Sequence, residues 1–314
     1  MSRITTIVFG PTGGVGSATA RTAQEKGAKV ILALRDPQKP IPGLSAEQER
    51  AAGFERVQAD LTQPQTITEA VQKTGAKRAF IYAPLGQTAD VRASITALKD
   101  AGIEFVVLLS SISVQGDIGS VSPTAFVAFA HAQVEVSLND VFGSGGYVAV
   151  RPAFFASNSF WWREELKEGK AGVLNPEARM DWITPGDIGR VCGSLLVEGP
   201  QAPLKDNAVE LIGPELVSLK DAIGIIGTEL GKDIKITEIN KEEGLEWFIN
   251  QVGMPPPLAA ELVTHLSTRP GNAVDENYSG PAYEEAVANV LKFGGRQPTT
   301  FSEWVKENKF AFSA

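Results

Sequence analysis

The first 34 residues constrain this chain more than any other stretch. A short β-branched run at 4–9 (ITTIVF) gives way at once to Gly10-Pro11-Thr12-Gly13-Gly14-Val15-Gly16. A helical segment follows at 17–26, stopped by Gly27, and a second apolar run (KVILAL) occupies 29–34. Strand, glycine turn, helix and strand in that order make a βαβ unit. Parallel strands joined this way belong to a sheet covered on both faces, so the chain opens as an α/β fold.

The alternation continues. Residues 54–59 read as a strand, 65–74 as a helix, 78–82 (RAFIY) as a strand and 89–101 as a helix ended by Gly102. The run at 104–109 (EFVVLL) is almost wholly apolar, as a strand buried on both faces requires. A helical stretch at 124–142 precedes a sixth strand at 147–150. Six strands alternating with helices predict a Rossmann-type doubly wound parallel sheet.

After Arg151-Pro152 the texture changes. Phe154, Phe155, Phe160, Trp161 and Trp162 crowd together, and glycines and prolines then interrupt the chain. Helices are expected at 187–196, 219–230, 242–252 and 301–308, and strands at 208–212 and 233–239. Met254-Pro255-Pro256-Pro257 reads as a stiff turn within an otherwise irregular stretch. The expected organisation is a sheet domain at 1–153, to which 185–213 return. Residues 154–184 and 214–314 would form a smaller, mostly helical, substrate-binding lobe over the open edge of the sheet.

Composition narrows the partners. Hydrophobic residues make up 43% of the 314, enough for a substantial core, and the 21% that are charged form no long tract of one sign. Lys plus Arg is 29 against 37 for Asp plus Glu, a net charge of −8 with no basic stripe, which speaks against nucleic acid as a direct partner. Cys192 is the single cysteine, so no intrachain disulfide forms. Two histidines, His131 and His265, leave little room for a zinc site, and no metal is expected. The chain starts without a signal peptide, and no apolar run approaches ~20 residues. The expectation is a soluble, cytoplasmic protein without a membrane partner, its oligomeric state left open.

Gly10, Gly13 and Gly16 are spaced G-x-x-G-x-x-G. The common dinucleotide fingerprint is G-x-G-x-x-G, so the first spacing here is one residue longer. Glycines let backbone amides approach phosphate oxygens, and the helix amino terminus behind them favours an anion. The place of this turn, between the first strand and the first helix, predicts dinucleotide binding. The second strand ends in Arg35-Asp36-Pro37-Gln38-Lys39. An acid here would pair with a ribose 2′-hydroxyl and favour NAD, whereas an arginine would pair with a 2′-phosphate. Arg35 comes first and Lys39 adds a second charge, while Asp36 before Pro37 can simply cap the turn; NADP(H) is the expected cofactor.

The sequence resembles the NmrA-like branch of the atypical short-chain dehydrogenase/reductases. The resemblance is carried by the glycine turn with Thr12, by Arg35, by Asp60-Leu61 and Ala83-Pro84 after the third and fourth strands, and by Ser110-Ser111 after the fifth. Arg151-Pro152 with Phe154, Phe155 and Asn158, the TPGDI segment at 184–188 and FSEWV at 301–305 complete it. It implies that Gly10, Thr12, Gly13, Gly14, Val15 and Gly16 hold a pyrophosphate, and that Arg35 and Lys39 hold the 2′-phosphate. Asp60 and Leu61 would flank the adenine, Ala83 and Pro84 would pass the ribose, and Pro152 and Phe154 would border the nicotinamide.

One departure stands out. The larger family uses a tyrosine and a lysine four residues apart on one helix, and many members of this branch keep the lysine in a stretch like K-A-E-V-E. Here the stretch reads His131-Ala132-Gln133-Val134-Glu135, and the position four residues earlier is Val127, which transfers no proton. His131 has three readings: a ribose contact in place of the lysine, a general acid, or a neutral core histidine. Ser111 either polarises a substrate carbonyl or closes the strand end. Asp181 is a candidate acid or a solvated loop carboxylate. Asp187 is expected to cap a helix, and Cys192 to be a small core residue. The aromatic cluster either packs a core or walls an apolar pocket for a polycyclic ligand, and Trp247 and Phe248 are expected to be core.

Three functions follow as expectations. The first is an NADP-dependent reductase of a bulky apolar small molecule, with no strong acid needed or the proton drawn from water or His131. The second is a redox-neutral rearrangement or isomerisation enzyme of secondary metabolism that retains NADP(H) unconsumed. The third is a nicotinamide-sensing regulator that binds another protein.

Overall fold

The computed structural model describes residues 3–84, 91–268 and 278–313. Apolar β-branched runs such as 5–9, 29–34 and 105–109 become strands, and the first four strands alternate with helices. In chain order these are β1 (Thr5–Phe9), α1 (Gly14–Glu25), β2 (Lys29–Leu34), α2 (Ala46–Ala52), β3 (Glu55–Gln58), α3 (Pro64–Thr74), β4 (Arg78–Tyr82) and α4 (Val91–Asp100). Next come β5 (Phe105–Leu109), α5 (Phe126–Phe142), β6 (Tyr147–Pro152), α6 (Arg163–Lys167), β7 (Lys170–Leu174), β8 (Arg179–Met180), α7 (Pro185–Glu198) and β9 (Ala208–Leu211). The remainder is β10 (Val217–Ser218), α8 (Leu219–Leu230), β11 (Lys235–Ile239), α9 (Lys241–Asn250), α10 (Pro256–Thr268), α11 (Gly280–Gly294), α12 (Phe301–Glu307) and α13 (Lys309–Ser313). Of the helix predicted at 89–101, residues 89 and 90 lie outside the described residues.

The chain divides into two compact units. The first comprises Met1–Pro152, Pro185–Leu211 and Asn289–Arg296. It holds a seven-stranded sheet in the order β3-β2-β1-β4-β5-β6-β9, with every pairing parallel. This is the Rossmann-type doubly wound sheet that the alternation predicts, extended by β9 alongside β6. The order reverses direction between β1 and β4, and the carboxyl ends of strands at such a switch point open a crevice. The glycine turn follows β1 at that place. Behind it α1 crosses α7 closely: a Cβ on Gly189 would lie 2.3 Å from Ala18 Cβ, and one on Gly193 2.6 Å from Thr22 Cβ. Cys192, fully buried, sits on the same helix.

The second unit comprises Ala153–Thr184, Ile212–Ala288 and Gln297–Ala314. Its small ladders are β7 with β11, parallel, and β8 with β10, antiparallel. Trp162, Trp182, Phe248, Phe301 and Phe312 lie among its buried core residues.

Two sequence expectations are corrected, and two elements were not anticipated. The stretch after 252 is not irregular: α10 starts at Pro256 within the supposed turn, because proline is tolerated in a helix's first turn where its missing N–H has no partner to lose. Residues 289–296, assigned above to the smaller lobe, group with the first unit, where Asn289 Nδ2 donates to Glu210 O at 3.1 Å and Val290 is fully buried. Two elements had no periodic signal. The polar helix α2 is defined by a capping box between Ser45 and Gln48 and by Gly53 at φ 75°, and β7 pairs with a strand some 65 residues later in the chain.

Candidate functional site

Gly10 has φ +67°, and a Cβ there would lie 2.6 Å from Tyr82 Cε1. Gly16 brings α1 against the turn: its Cβ would lie 2.3 Å from Gly10 O. Gly13 differs. It is the amino-terminal cap of α1 in extended conformation (φ −86°), and a Cβ would meet Gly10 O at 3.5 Å, an ordinary contact. The fold therefore tolerates a side chain at Gly13, and what glycine leaves there is clear space over the helix end. No side chain caps α1 and no acid stands in its first turn. Its first N–H groups and its dipole are thus set for an anion.

A cavity of about 720 Å³ opens beside this turn, wholly within the first unit. Gly10, Pro11 and Thr12 form one side, Arg35, Asp36, Gln38 and Lys39 another, and Asp60, Leu61 and Tyr82 a third. Among the described residues, neither Arg35 nor Lys39 has an acidic partner within ion-pair distance. Asp36 is engaged locally: its Oδ1 accepts the Gln38 N–H at 2.9 Å, an Asx turn. Asp60 Oδ1 likewise accepts the Thr62 N–H and hydroxyl, both at 2.9 Å. The rim therefore offers two available cations and two carboxylates partly occupied by their own turns.

Of the expected cofactor residues, Gly10, Thr12, Arg35, Lys39, Asp60 and Leu61 meet in this one cavity. Gly14, Val15 and Gly16 form the first turn of α1. Ala83 and Pro84 follow β4 without lining the cavity, Pro152 ends β6, and Phe154 belongs to the second unit. Sequence reasoning missed Tyr82. Val8 pairs with Phe80, so Gly10 and Tyr82 leave their strands at the same level; only the strand order makes them neighbours. Burial raises the Tyr82 phenol above its ordinary pKa, with Arg35 opposing and Asp60 adding to the effect.

His131 lies on α5, 8% exposed, and its Nδ1 has no hydrogen-bond partner. Burial pushes its pKa down to about 4. Desolvation disfavours the charged imidazolium and weighs against the general-acid reading without deciding it. A neutral ring still carries one donor and one acceptor. Ser111 Oγ pairs with the Ser113 hydroxyl at 2.8 Å and accepts the Ser113 N–H at 3.2 Å, which closes the turn after β5.

Next to these lies a buried ion pair. Arg151 donates to Glu135 through Nε (3.0 Å) and Nη2 (2.5 Å), and Ser110 Oγ donates to Glu135 Oε1 at 2.5 Å. Glu135 is fully buried and Arg151 nearly so. The cluster joins β5, α5 and β6.

Asp181 is not a solvated loop carboxylate. It is fully buried and accepts the Phe154 N–H at 2.8 Å, the Gly213 N–H at 2.9 Å and the Tyr278 hydroxyl at 2.8 Å. Burial raises its pKa, and these three donors pull it back down. The carboxylate pins three segments of the second unit where the backbone is strained, for Trp182 has φ +48°. Asp187 lies inside the first turn of α7, fully buried and paired with Arg190.

The aromatic cluster packs within the second unit. Trp162 stacks on Trp247 at 5.4 Å and donates to Gly172 O at 2.8 Å, and Phe160 meets Phe312 at 4.9 Å. Phe154 stands edge-on to Trp182 at 5.1 Å, and Trp161 to Phe248 at 5.4 Å. Trp162 and Phe248 are core, while Phe154, Phe155, Phe160 and Trp161 stay partly accessible. Among the described residues no His, Cys, Asp and Glu cluster fits a metal ion, and no helix is long and apolar enough to cross a membrane.

A parallel sheet whose switch point faces a glycine turn, an uncapped helix end and two available cations has the build of a dinucleotide-binding α/β protein. The chain belongs to the NmrA-like family, whose sequence profile matches residues 2–305. It is 38% identical to the nitrogen metabolite regulation-like protein of Gibberella fujikuroi, over 96% of this chain and 95% of the relative. It is 26% identical to an NAD(P)H azoreductase of Xenophilus azovorans, over 98% and 99%. Among solved structures it resembles the NADPH-dependent quinone oxidoreductase of Escherichia coli complexed with NADPH (TM-score 0.72, 20% identity, 97% of this chain and 99% of that one). It also resembles NmrA, a negative transcriptional regulator (TM-score 0.68, 16% identity, 98% and 95%). At these identities the two structures show the shared fold.

Proposed function

We propose that this chain is an NADP(H)-binding reductase of a bulky apolar or polycyclic small molecule. The observation that carries the reading is the cavity beside Gly10, in which Arg35 and Lys39, without acidic partners among the described residues, stand next to the uncapped end of α1. The first turn of α1 would hold the pyrophosphate, Arg35 and Lys39 the 2′-phosphate, and Leu61 the apolar face of the adenine. Bound NADPH supplies a hydride, so the protein's task is binding, orientation and exclusion of water. NADPH-type cofactors appear in the names of the azoreductase and the quinone oxidoreductase, which supports the reading by kinship.

The proton is the harder half. Val127 has none to give, and burial disfavours the charged form of His131. His131 then serves as a hydrogen-bonding group toward the cofactor ribose, its unpartnered Nδ1 being the atom in need of a ligand. A substrate that needs no strong acid fits this site: an iminium, a quinone or an activated alkene, protonated from water.

Anaerobic single turnover with NADPH tests the reading. Quinones, azo dyes, imines, activated alkenes, polycyclic ketones and epoxides form the panel. Loss of the reduced nicotinamide absorbance together with a reduced product is the expected outcome. A rearranged product with the band intact would replace the reductase with a redox-neutral isomerase. A second reading, a nicotinamide-sensing regulator, draws on the 38% identical relative named for nitrogen metabolite regulation. Tight binding of both NADP⁺ and NADPH with no turnover across the panel would favour it.

A further inference from the structure

The turn at 35–39 carries both cations of the cavity rim, yet Arg35, Asp36, Gln38 and Lys39 are exposed and belong to no helix or strand. Beyond its own bonds from Gln38 and Lys39 to Asp36, what holds it comes from β3, an edge strand of the sheet. Arg56 Nη1 donates to the carbonyls of Pro37 and Lys39, the latter at 2.9 Å. Two residues along the same strand, Gln58 Nε2 donates to the carbonyl of Arg35 at 3.1 Å. The carbonyls of 35, 37 and 39 are thus all tied to side chains of β3. The Arg56 guanidinium is itself aimed by Glu49 on α2: Nε and Nη2 meet the two carboxylate oxygens at 2.7 and 2.5 Å. Glu49 is buried, 7% exposed, beneath a helix that is otherwise polar.

Four of the five guanidinium N–H groups are then in use, and the Arg56 charge is matched by Glu49. Arg56 is committed to the turn and leaves the cavity's positive charge to Arg35 and Lys39. We propose that the Glu49–Arg56 pair, with Gln58, is a positioning device that presents Arg35 and Lys39 to a 2′-phosphate and thereby sets the preference for the phosphorylated dinucleotide. This inference rests on the NADP(H) reading above. Without the clamp, an exposed turn must be ordered by the ligand itself, and that ordering cost falls only on the ligand that uses the turn.

The test compares dissociation constants for NADPH and NADH, by nicotinamide fluorescence on the full-length protein, with circular dichroism as the check on folding. Wild type should prefer NADPH. Arg56→Met should reduce that preference about tenfold, with NADH affinity nearly unchanged. Gln58→Leu, at an exposed site, should act in the same direction by a smaller factor. Arg56→Lys keeps the charge but not the fork and should also lose preference. Should Arg56→Met fail to fold, Gln58→Leu and Arg56→Lys carry the comparison. Glu49→Gln separates clamp from field: it removes a negative charge near the rim, so a purely electrostatic role would tighten NADPH, whereas a loosened clamp weakens it. An unchanged NADPH/NADH ratio in the folded variants, or tighter NADPH binding by Glu49→Gln, overturns the clamp and leaves dinucleotide binding standing. A wild-type protein that prefers NADH also overturns it, and one that binds neither nucleotide overturns the NADP(H) reading beneath it.

Discussion

His131 shows how much one buried ring decides. Its pKa near 4 in the folded chain lies below the ordinary histidine value of 6.5. Between those two values the unfolded chain binds the extra proton and the folded chain does not, so stability rises with pH through that window. The histidine's contribution is complete above about pH 6.5 and is lost as the pH falls toward 4, a difference on the order of 3 kcal/mol. Asp181 acts oppositely. Its raised pKa favours the folded state most at low pH, and that contribution is lost as the pH climbs through the raised value. Comparing wild type with His131→Asn isolates the first effect. Urea midpoints measured at pH 7.5 and pH 5 should move apart in wild type by more than in the variant, and equal movement would mean that the ring is charged when folded. The sequence located this residue by its register with a lysine in related chains. It could not report the ring's charge, because desolvation depends on what packs around α5.

At the scale of elements, the junction of β5, α5 and β6 depends on Glu135 and Arg151. Removing one member of a buried pair strands the other's charge, at a cost of about 3–5 kcal/mol. Glu135→Gln and Arg151→Met should each lower the urea midpoint strongly. The double substitution Glu135→Gln with Arg151→Met should cost clearly less than the two singles summed, because neither charge is then left unpaired. Additive losses in that double-mutant cycle would show that the pair does not act as a unit. Arg151 and Glu135 were both legible as positions, one in the Arg-Pro pair that closes β6 and one in the stretch that replaces K-A-E-V-E. Their pairing was not, since 16 residues separate them and only the packing of α5 against β6 brings them together. The short elements β7 and α2 escaped for a related reason. The ladder partner of β7 is distant in sequence, and α2 has an exposed surface without apolar period.

At the scale of the whole molecule, the first unit is discontinuous in sequence. A fragment of residues 1–152 would keep six strands of the sheet but lose β9 from the edge of β6 and α7 from the face of α1. It should therefore bind an apolar dye and show no cooperative urea transition; a sharp two-state transition would show that the returning segment is dispensable. By itself the sequence determined the class of the sheet and the glycine turn, because both rest on local rules. Alternating apolar runs and helices dictate parallel strands, and glycines between the first strand and helix leave a clear, positively polarised helix end. Only the tertiary structure decided which side chains share a cavity and which charges are solvated. It brought Tyr82 over Gly10, placed Arg56 behind the turn of Arg35 and Lys39, and buried Asp181 where a loop carboxylate was expected. These outcomes depend on strand order and on burial, and both arise from contacts between residues far apart in the chain.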